Sequence, residues 1–345
     1  MKKRWNRILA LSLAALLTLG TFTACGKTEE KEENTTPVVT ESPEEAKVLK
    51  VLTLGHSLAV DSGHLLNLIC ATEGVGDYEE VIIGTLYYAG CTMSEHVNFM
   101  QNASPEYSLY VSSSKTPDEP PKVMKQIDMN IALEYDYWDI VVMQDGVFNV
   151  AQSSSYTKGD SKTLQDYVNE KKLNTNVHFA WHMTWVPPID NTLRDTFPNE
   201  PNSYYSNYDK YNQDRTTMYK AVVECVNEYI VTDKTFEFII PSATAFENAL
   251  SSYLEETDIH RDYVHATDLG RVIATYTWYC KLMGIDKLEE IKLTTIPRAF
   301  LNSTTGMDEL VLTDMEKAVI LESVNNALAK PMEMTQSQYT QAPAQ

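Results

Sequence analysis

The chain has 345 residues, 43% of them hydrophobic and 22% charged, with 13 glycines and 14 prolines. That balance rules out a collagen-like, low-complexity or generally disordered protein. Its 28 Lys and Arg face 48 Asp and Glu, a formal charge of −20. Such an excess of acid argues against a nucleic-acid partner, which needs clustered cations, and against a polybasic membrane-surface segment.

The first 25 residues read as an address. Lys2, Lys3, Arg4 and Arg7 precede the apolar run Ile8–Phe22. A spanning helix needs roughly 20 such residues, so the run is too short for a transmembrane anchor and suits a secretory signal. Phe22-Thr23-Ala24-Cys25 then resembles a bacterial lipoprotein signal with Phe22 where Leu is usual. It implies lipid attachment at Cys25 and a place on the outer face of the bacterial cell membrane. Ordinary cleavage near Ala24 would give a secreted product instead. Residues 26–47 carry acids, Thr, Ser and Pro and almost no large apolar side chain. They cannot bury enough surface to offset chain entropy and read as a disordered acidic tether.

Folded structure is expected over 48–330. Residues 48–54, 80–86, 138–143, 176–181 and 236–240 are short apolar runs, the pattern of buried strands. Residues 64–72, 121–134, 208–229, 269–283 and 312–328 read as helices. Alternation of the two predicts a mainly parallel sheet of five strands covered on both faces. Residues 331–345 are polar and read as a disordered tail. Cys70, Cys91, Cys225 and Cys280 show neither a CxxC nor a zinc-ligand spacing and read as small buried residues.

In a parallel sheet the crevice lies beyond the carboxyl ends of the strands. Gly55-His56-Ser57-Leu58 follows the first strand, and Arg261-Asp262-Tyr263-Val264-His265 lies in a late loop. A serine hydroxyl needs a base to take its proton, and the base needs an acceptor to fix its tautomer. Ser57, His265 and Asp262 supply those three groups. Taken separately, each has a plainer reading: Ser57 as a helix cap, the Asp–His pair as a solvated turn. His178 and His182 are two histidines without a nearby carboxylate, which is not a zinc site by count. Neither metal nor cofactor is expected. Trp181, Trp185, Tyr204, Tyr205, Tyr208 and Tyr211 either stack on sugar rings or pack a core, and packing is the more ordinary role.

The turn GHSL after strand one, Tyr88-Ala89-Gly90-Cys91 after strand two, and Asp-x-x-His near the end resemble the SGNH/GDSL hydrolase superfamily. The chain is closer still to a bacterial group of uncharacterised domains within it. That group carries a Trp-Asp-x-x-x-x-Gln segment, here Trp138–Gln144, and Arg-Asp-x-x-His, here Arg261–His265, followed by Gly270-Arg271. The resemblance implies a flavodoxin-like three-layer α/β/α sandwich. It implies Ser57 as nucleophile, His265 as general base and then acid, and Asp262 as its orienter. The oxyanion hole would use the backbone N–H groups of Ser57 and Gly90 and a side-chain amide. The superfamily places an Asn there in a Gly-x-Asn-Asp pattern; this chain has Gln144-Asp145-Gly146-Val147-Phe148-Asn149. Gln144 is the first choice and Asn149 the second. His56 stands where the superfamily has Asp, and a structural role is expected for it. The expected activity is hydrolysis of an ester, a small molecule or an acetylated or otherwise short-acylated carbohydrate at the cell surface. The alternative is a surface lipoprotein that binds a glycan or peptide without catalysis.

Overall fold

The computed structural model describes residues 47–194, 210–301 and 308–342. The signal segment 1–25 with Cys25, and the tether 26–46, lie outside the described residues, as do Tyr204, Tyr205 and Tyr208.

Strand β1 (Val48–Gly55) is central. It pairs in parallel with β2 (Glu80–Tyr87) on one side and β5 (Ile140–Met143) on the other, and the parallel series continues through β6 (His178–His182) and β7 (Phe236–Ile240). These are the five strands expected from the apolar runs. The sheet nevertheless has seven strands, not five. β3 (Tyr107–Ser113) and β4 (Lys122–Ile127) extend it antiparallel beyond β2, in the order β4-β3-β2-β1-β5-β6-β7. Residues 121–134, expected as a helix, therefore divide. The first part is the exposed edge strand β4, and only Met129–Leu133 is helical. An exposed edge strand mixes polar and apolar residues, a pattern that resembles an amphipathic helix.

Among the described residues, the α-helices of five residues or more are α1 (Ser57–Gly63), α2 (Leu66–Glu73), α3 (Met93–Gln101), α4 (Met129–Leu133), α5 (Asp160–Lys171), α6 (Arg215–Cys225), α7 (Ser242–Leu250), α8 (Asp268–Leu282) and α9 (Asp314–Ala329). Eight of them pack in two groups, α1, α2, α7, α8 and α9 in one and α3, α4 and α5 in the other. Every residue of β5 and the last five of β1 are buried, as a parallel sheet flanked by helices requires. α8 runs through the first group with all but one of its residues buried. No helix among the described residues is long and apolar enough to cross a membrane.

The register brings the strand ends level. Gly55 pairs with Tyr87, Leu54 with Met143, Met143 with Trp181, and His182 with Ile240. Whatever follows β1, β2, β5, β6 and β7 is thus delivered to one edge of the molecule.

Three side-chain expectations meet the structure here. The four cysteines at 70, 91, 225 and 280 are buried free thiols. Trp181 and Trp185 are buried, with Trp185 stacked on Phe246 at 4.6 Å, so neither can stack on a sugar. The tail expected to be disordered is fixed in its described part, 331–342. Thr335 N–H donates to Asn248, Ser251 donates to the Thr335 carbonyl, and Tyr253 N–H donates to the Tyr339 carbonyl. Polar groups of α7 and the turn after it hold what apolar content could not.

Glu247, in the same helix, is 1% exposed. Burial pushes its carboxyl from the ordinary 4.5 up to about 7, against the pull of Arg215, whose Nε lies 3.2 Å away; Glu256 and Asp214 push in the same direction as burial. Between those two pH values the folded chain holds a proton that the unfolded chain has released. The group therefore costs stability as pH rises through that window. Glu247→Gln removes the slope. Urea unfolding is expected to show the variant gaining on the parent between about pH 5 and about pH 8; parallel curves would contradict it.

Candidate active site

The turn after β1 is built around His56. Its Nδ1 accepts from Leu58 N–H at 3.3 Å and its Nε2 faces the Asp145 carbonyl at 3.0 Å. The ring caps α1 and ties it to the segment after β5. It is fully buried, and burial lowers its pKa to about 4. A neutral ring bonded on both sides is a structural group. Gly55 makes the turn possible: a Cβ there would sit 2.6 Å from Ala59 Cβ and 3.1 Å from Gln144 Nε2. Ser57 then opens α1, half-buried, its backbone at the first turn where N–H groups lack helical partners.

The late loop is a closed structure. Arg261 N–H donates to the His265 carbonyl at 2.9 Å, and Thr267 N–H to the Ile259 carbonyl at 3.0 Å. Inside it, Asp262 accepts from the N–H groups of Val264 and His265 at 2.9 and 2.8 Å. Its carboxylate meets His265 Nδ1 at 2.8 Å. Burial pushes the Asp262 carboxyl up, but the bonds and charge from His265 and the two N–H groups outweigh it and hold the group at about 2. An ionised Asp262 fixes the proton on Nδ1 and leaves Nε2 as the basic nitrogen.

Ser57 and His265 line one cavity of about 720 Å³ at the carboxyl end of β1 and β2. No hydrogen bond joins them among the described residues. Catalytic bonds are commonly long without substrate and tighten in its complex. A hollow of about 940 Å³ lies at the opposite end of the strands, beside Asp139, His178 and Glu237. It is the larger of the two, but no nucleophile with a paired base lines it.

A cluster absent from the sequence reading joins the two halves of the site. Asp61 is 1% exposed. It accepts from Arg261 Nη1 at 3.1 Å, Arg271 Nε at 2.9 Å and Ala266 N–H at 3.1 Å. Arg271 also donates to Asp268 at 3.0 Å. One carboxylate on α1, a helical turn beyond Ser57, thereby grips both ends of the loop that carries Asp262 and His265. Trp185 Nε1 donates to the Val264 carbonyl at 2.8 Å and holds the loop from the other side. The available signals were the four-residue spacing from Ser57 to Asp61, which shares a helix face, and the arginines of Arg261-Asp262 and Gly270-Arg271.

The oxyanion candidates are placed differently. Gly90 has φ +65° and sits third in a turn closed by Cys91 N–H to the Tyr88 carbonyl at 3.3 Å, a position that favours glycine. It is exposed and does not line the cavity of Ser57 and His265. Gln144 is wholly buried beneath the turn. Its Oε1 pairs with His182 Nδ1 at 2.7 Å, His182 Nε2 faces Ser242 at 3.0 Å, and its Nε2 donor is buried without a partner. The Asn149 amide is taken by Asp145. Of the two amide nitrogens, that of Gln144 is the one buried with no partner at all. His182 belongs to this network while His178 pairs with Glu237 at the far strand end. Among the described residues, no three His, Cys, Asp or Glu side chains are grouped to hold a metal ion.

Comparison with known proteins follows this geometry. A family model described as a domain of unknown function, DUF4886, matches residues 50–296. The chain belongs to the DUF4886 family. The matched span includes Ser57, Asp262 and His265 and ends at Ile296 in the β8 strand (Thr295–Pro297). A crystal structure of a DUF4886 family protein from Bacteroides uniformis has the same fold, with a TM-score of 0.67 at 22% identity over 86% of this chain and 100% of that one. Two others are more distant. A protein from Slackia heliotrinireducens described as a candidate SGNH hydrolase gives a TM-score of 0.41 at 15% identity, over 68% of this chain and 98% of that one. The lipase Lip_vut3 from a goat rumen metagenome gives 0.35 at 12%, over 69% and 98%. No residue role is taken from either. No curated protein matches the chain.

Proposed function

We propose that this DUF4886 chain is a serine ester hydrolase of the SGNH type. The observation that carries the reading is the Asp262–His265 pair at 2.8 Å, on a loop clamped to the helix that begins with Ser57, opening into the same cavity. In this reading Ser57 Oγ attacks the ester carbonyl carbon while His265 Nε2 takes the hydroxyl proton. Asp262 holds the Nδ1 proton and balances the imidazolium. The tetrahedral oxyanion is met by the Ser57 N–H at the first turn of α1; the Gly90 N–H and the buried Gln144 amide, expected as further donors, do not line the cavity. Its collapse breaks the bond to the alcohol, which leaves with the proton from His265. Water, deprotonated by the same nitrogen, then releases the acid and restores Ser57. The alcohol in our reading is a carbohydrate or a similar polar molecule at the cell surface, with the chain held there through Cys25.

A second reading, a binding protein without catalysis, draws on the burial of Gln144 and the position of Gly90 off the cavity wall. Turnover of p-nitrophenyl esters separates the two. Hydrolysis that falls by about 10³-fold or more in His265→Ala and Asp262→Asn is expected of the enzyme. Equal rates in parent and variants would remove it.

A further inference from the structure

The cavity is far larger than an acetyl ester needs, and its shape has a direction. Ile83, Thr85 and Tyr87 alternate along β2, so their side chains stand on one face. Tyr110 lies opposite Thr85, Ser112 opposite Ile83, and Val123 of β4 opposite Tyr110, and all three line the same cavity. The floor is thus the sheet extension that the five-strand expectation omitted. From Tyr87 back to Ile83 it runs about 13 Å, at about 3.3 Å per residue. Val60 of α1 and Asn67 of α2 form one wall. Phe300 also lines it, held beside the α1–α2 turn by its carbonyl to His64 Nε2 at 2.8 Å with the two rings edge to face.

Charge limits what fits. Arg261 and Arg271 are paired with Asp61 and Asp268, so neither offers an uncommitted cation to an anionic group. Asp118 and Glu119 stand at the rim and repel anions. Tyr87 and Tyr110 present rings in edge-to-face contact at 5.9 Å, an aromatic surface for apolar matter.

We infer that this trough is a binding site for the apolar part of the ester, an uncharged alkyl chain or aryl group much larger than acetyl, reaching from Ser57 along β2 to Ile83 and Ser112. The inference rests on the serine hydrolase reading for its chemistry, but the trough exists independently of turnover. With the polar alcohol proposed above, the chain or ring is carried on the acyl side; the opposite result would place it on the alcohol and replace that part of the reading, and two substrate series distinguish these. One is p-nitrophenyl acetate, hexanoate and decanoate; the other is the acetates of ethanol, hexanol and decanol, followed by acid release. In one of them kcat/KM is expected to rise at least about tenfold from the shortest to the middle member, since each buried methylene adds binding. Ser112→Trp, which fills the far end, is expected to lower the ratio of decyl to hexyl turnover. Flat or falling profiles in both series, or an unaltered ratio in Ser112→Trp, would overturn the inference. Binding gives a readout that does not need hydrolysis. Titration calorimetry on Ser57→Ala with p-nitrophenyl decanoate and acetate is expected to find the decanoate bound more tightly. Equal or absent binding of both would overturn the trough whether or not the parent is an esterase, whereas tight decanoate binding by a parent that hydrolyses nothing would leave the trough and remove only the catalytic reading.

Discussion

Ser57→Ala is expected to lower kcat/KM for a p-nitrophenyl ester by about 10⁴-fold or more, because removing a nucleophile that works as one unit with its base costs nearly the whole catalytic advantage. The same change should leave the fold intact. Ser57 is half-buried, it does not provide the cap of α1, and its side chain makes none of the bonds that fix the turn; those belong to His56. Alanine is also a good helix former. The measurement is steady-state kinetics beside thermal unfolding. Lost turnover with an unshifted transition is the expected pair of results. Retained turnover would reject Ser57 as nucleophile.

The second large effect is expected at Asp61. Its carboxylate is buried and neutralises Arg261 and Arg271 while accepting from the Ala266 N–H. Asp61→Asn keeps the shape but leaves two guanidiniums, Arg271 buried and Arg261 partly exposed, with one fewer negative partner. Breaking a buried pair in this way costs about 3–5 kcal/mol. Urea unfolding should show a loss of that order. Activity should fall as well, since the loop that carries Asp262 and His265 loses its tie to α1. That fall should lie in kcat more than in KM, which a purely global destabilisation would not produce in the folded fraction. A stability change under about 1 kcal/mol, the ordinary size for a surface pair, would contradict the clamp.

How far the sequence speaks for itself differs along the chain. The parallel strands were legible because each is buried on both faces and reads as an unbroken apolar run, as in VLKVLTLG and IVVM. β3 was passed over although Tyr107, Leu109 and Val111 are buried in strict alternation; its polar partners Ser108, Ser112 and Ser113 diluted the signal. β4 reads as a helix in the sequence because an edge strand need not show a continuous apolar face. Ser57, Asp262 and His265 could be nominated from residue chemistry and family resemblance, since two of them are three residues apart and the third sits at a strand end. Asp61 is fainter in the sequence: its partner Arg261 lies 200 residues away in the chain, and only its four-residue spacing from Ser57 and the arginines marks it. The side-chain amide near the turn was equally hard to place. The sequence does not show that Asn149 is bonded to Asp145, or that His182 takes the Gln144 carbonyl and leaves the Gln144 nitrogen unpartnered. Trp181 and Trp185 show the converse. As letters they suit a sugar platform, and only burial assigns them to packing.

The account turns on whether the Ser57 hydroxyl is activated by His265. The direct measurement is reaction of the full chain with a fluorophosphonate serine probe, followed by peptide mass spectrometry to locate the adduct. A single adduct on the peptide containing Ser57, absent in His265→Ala, is the predicted result. No adduct, or one elsewhere that is indifferent to His265, would contradict it.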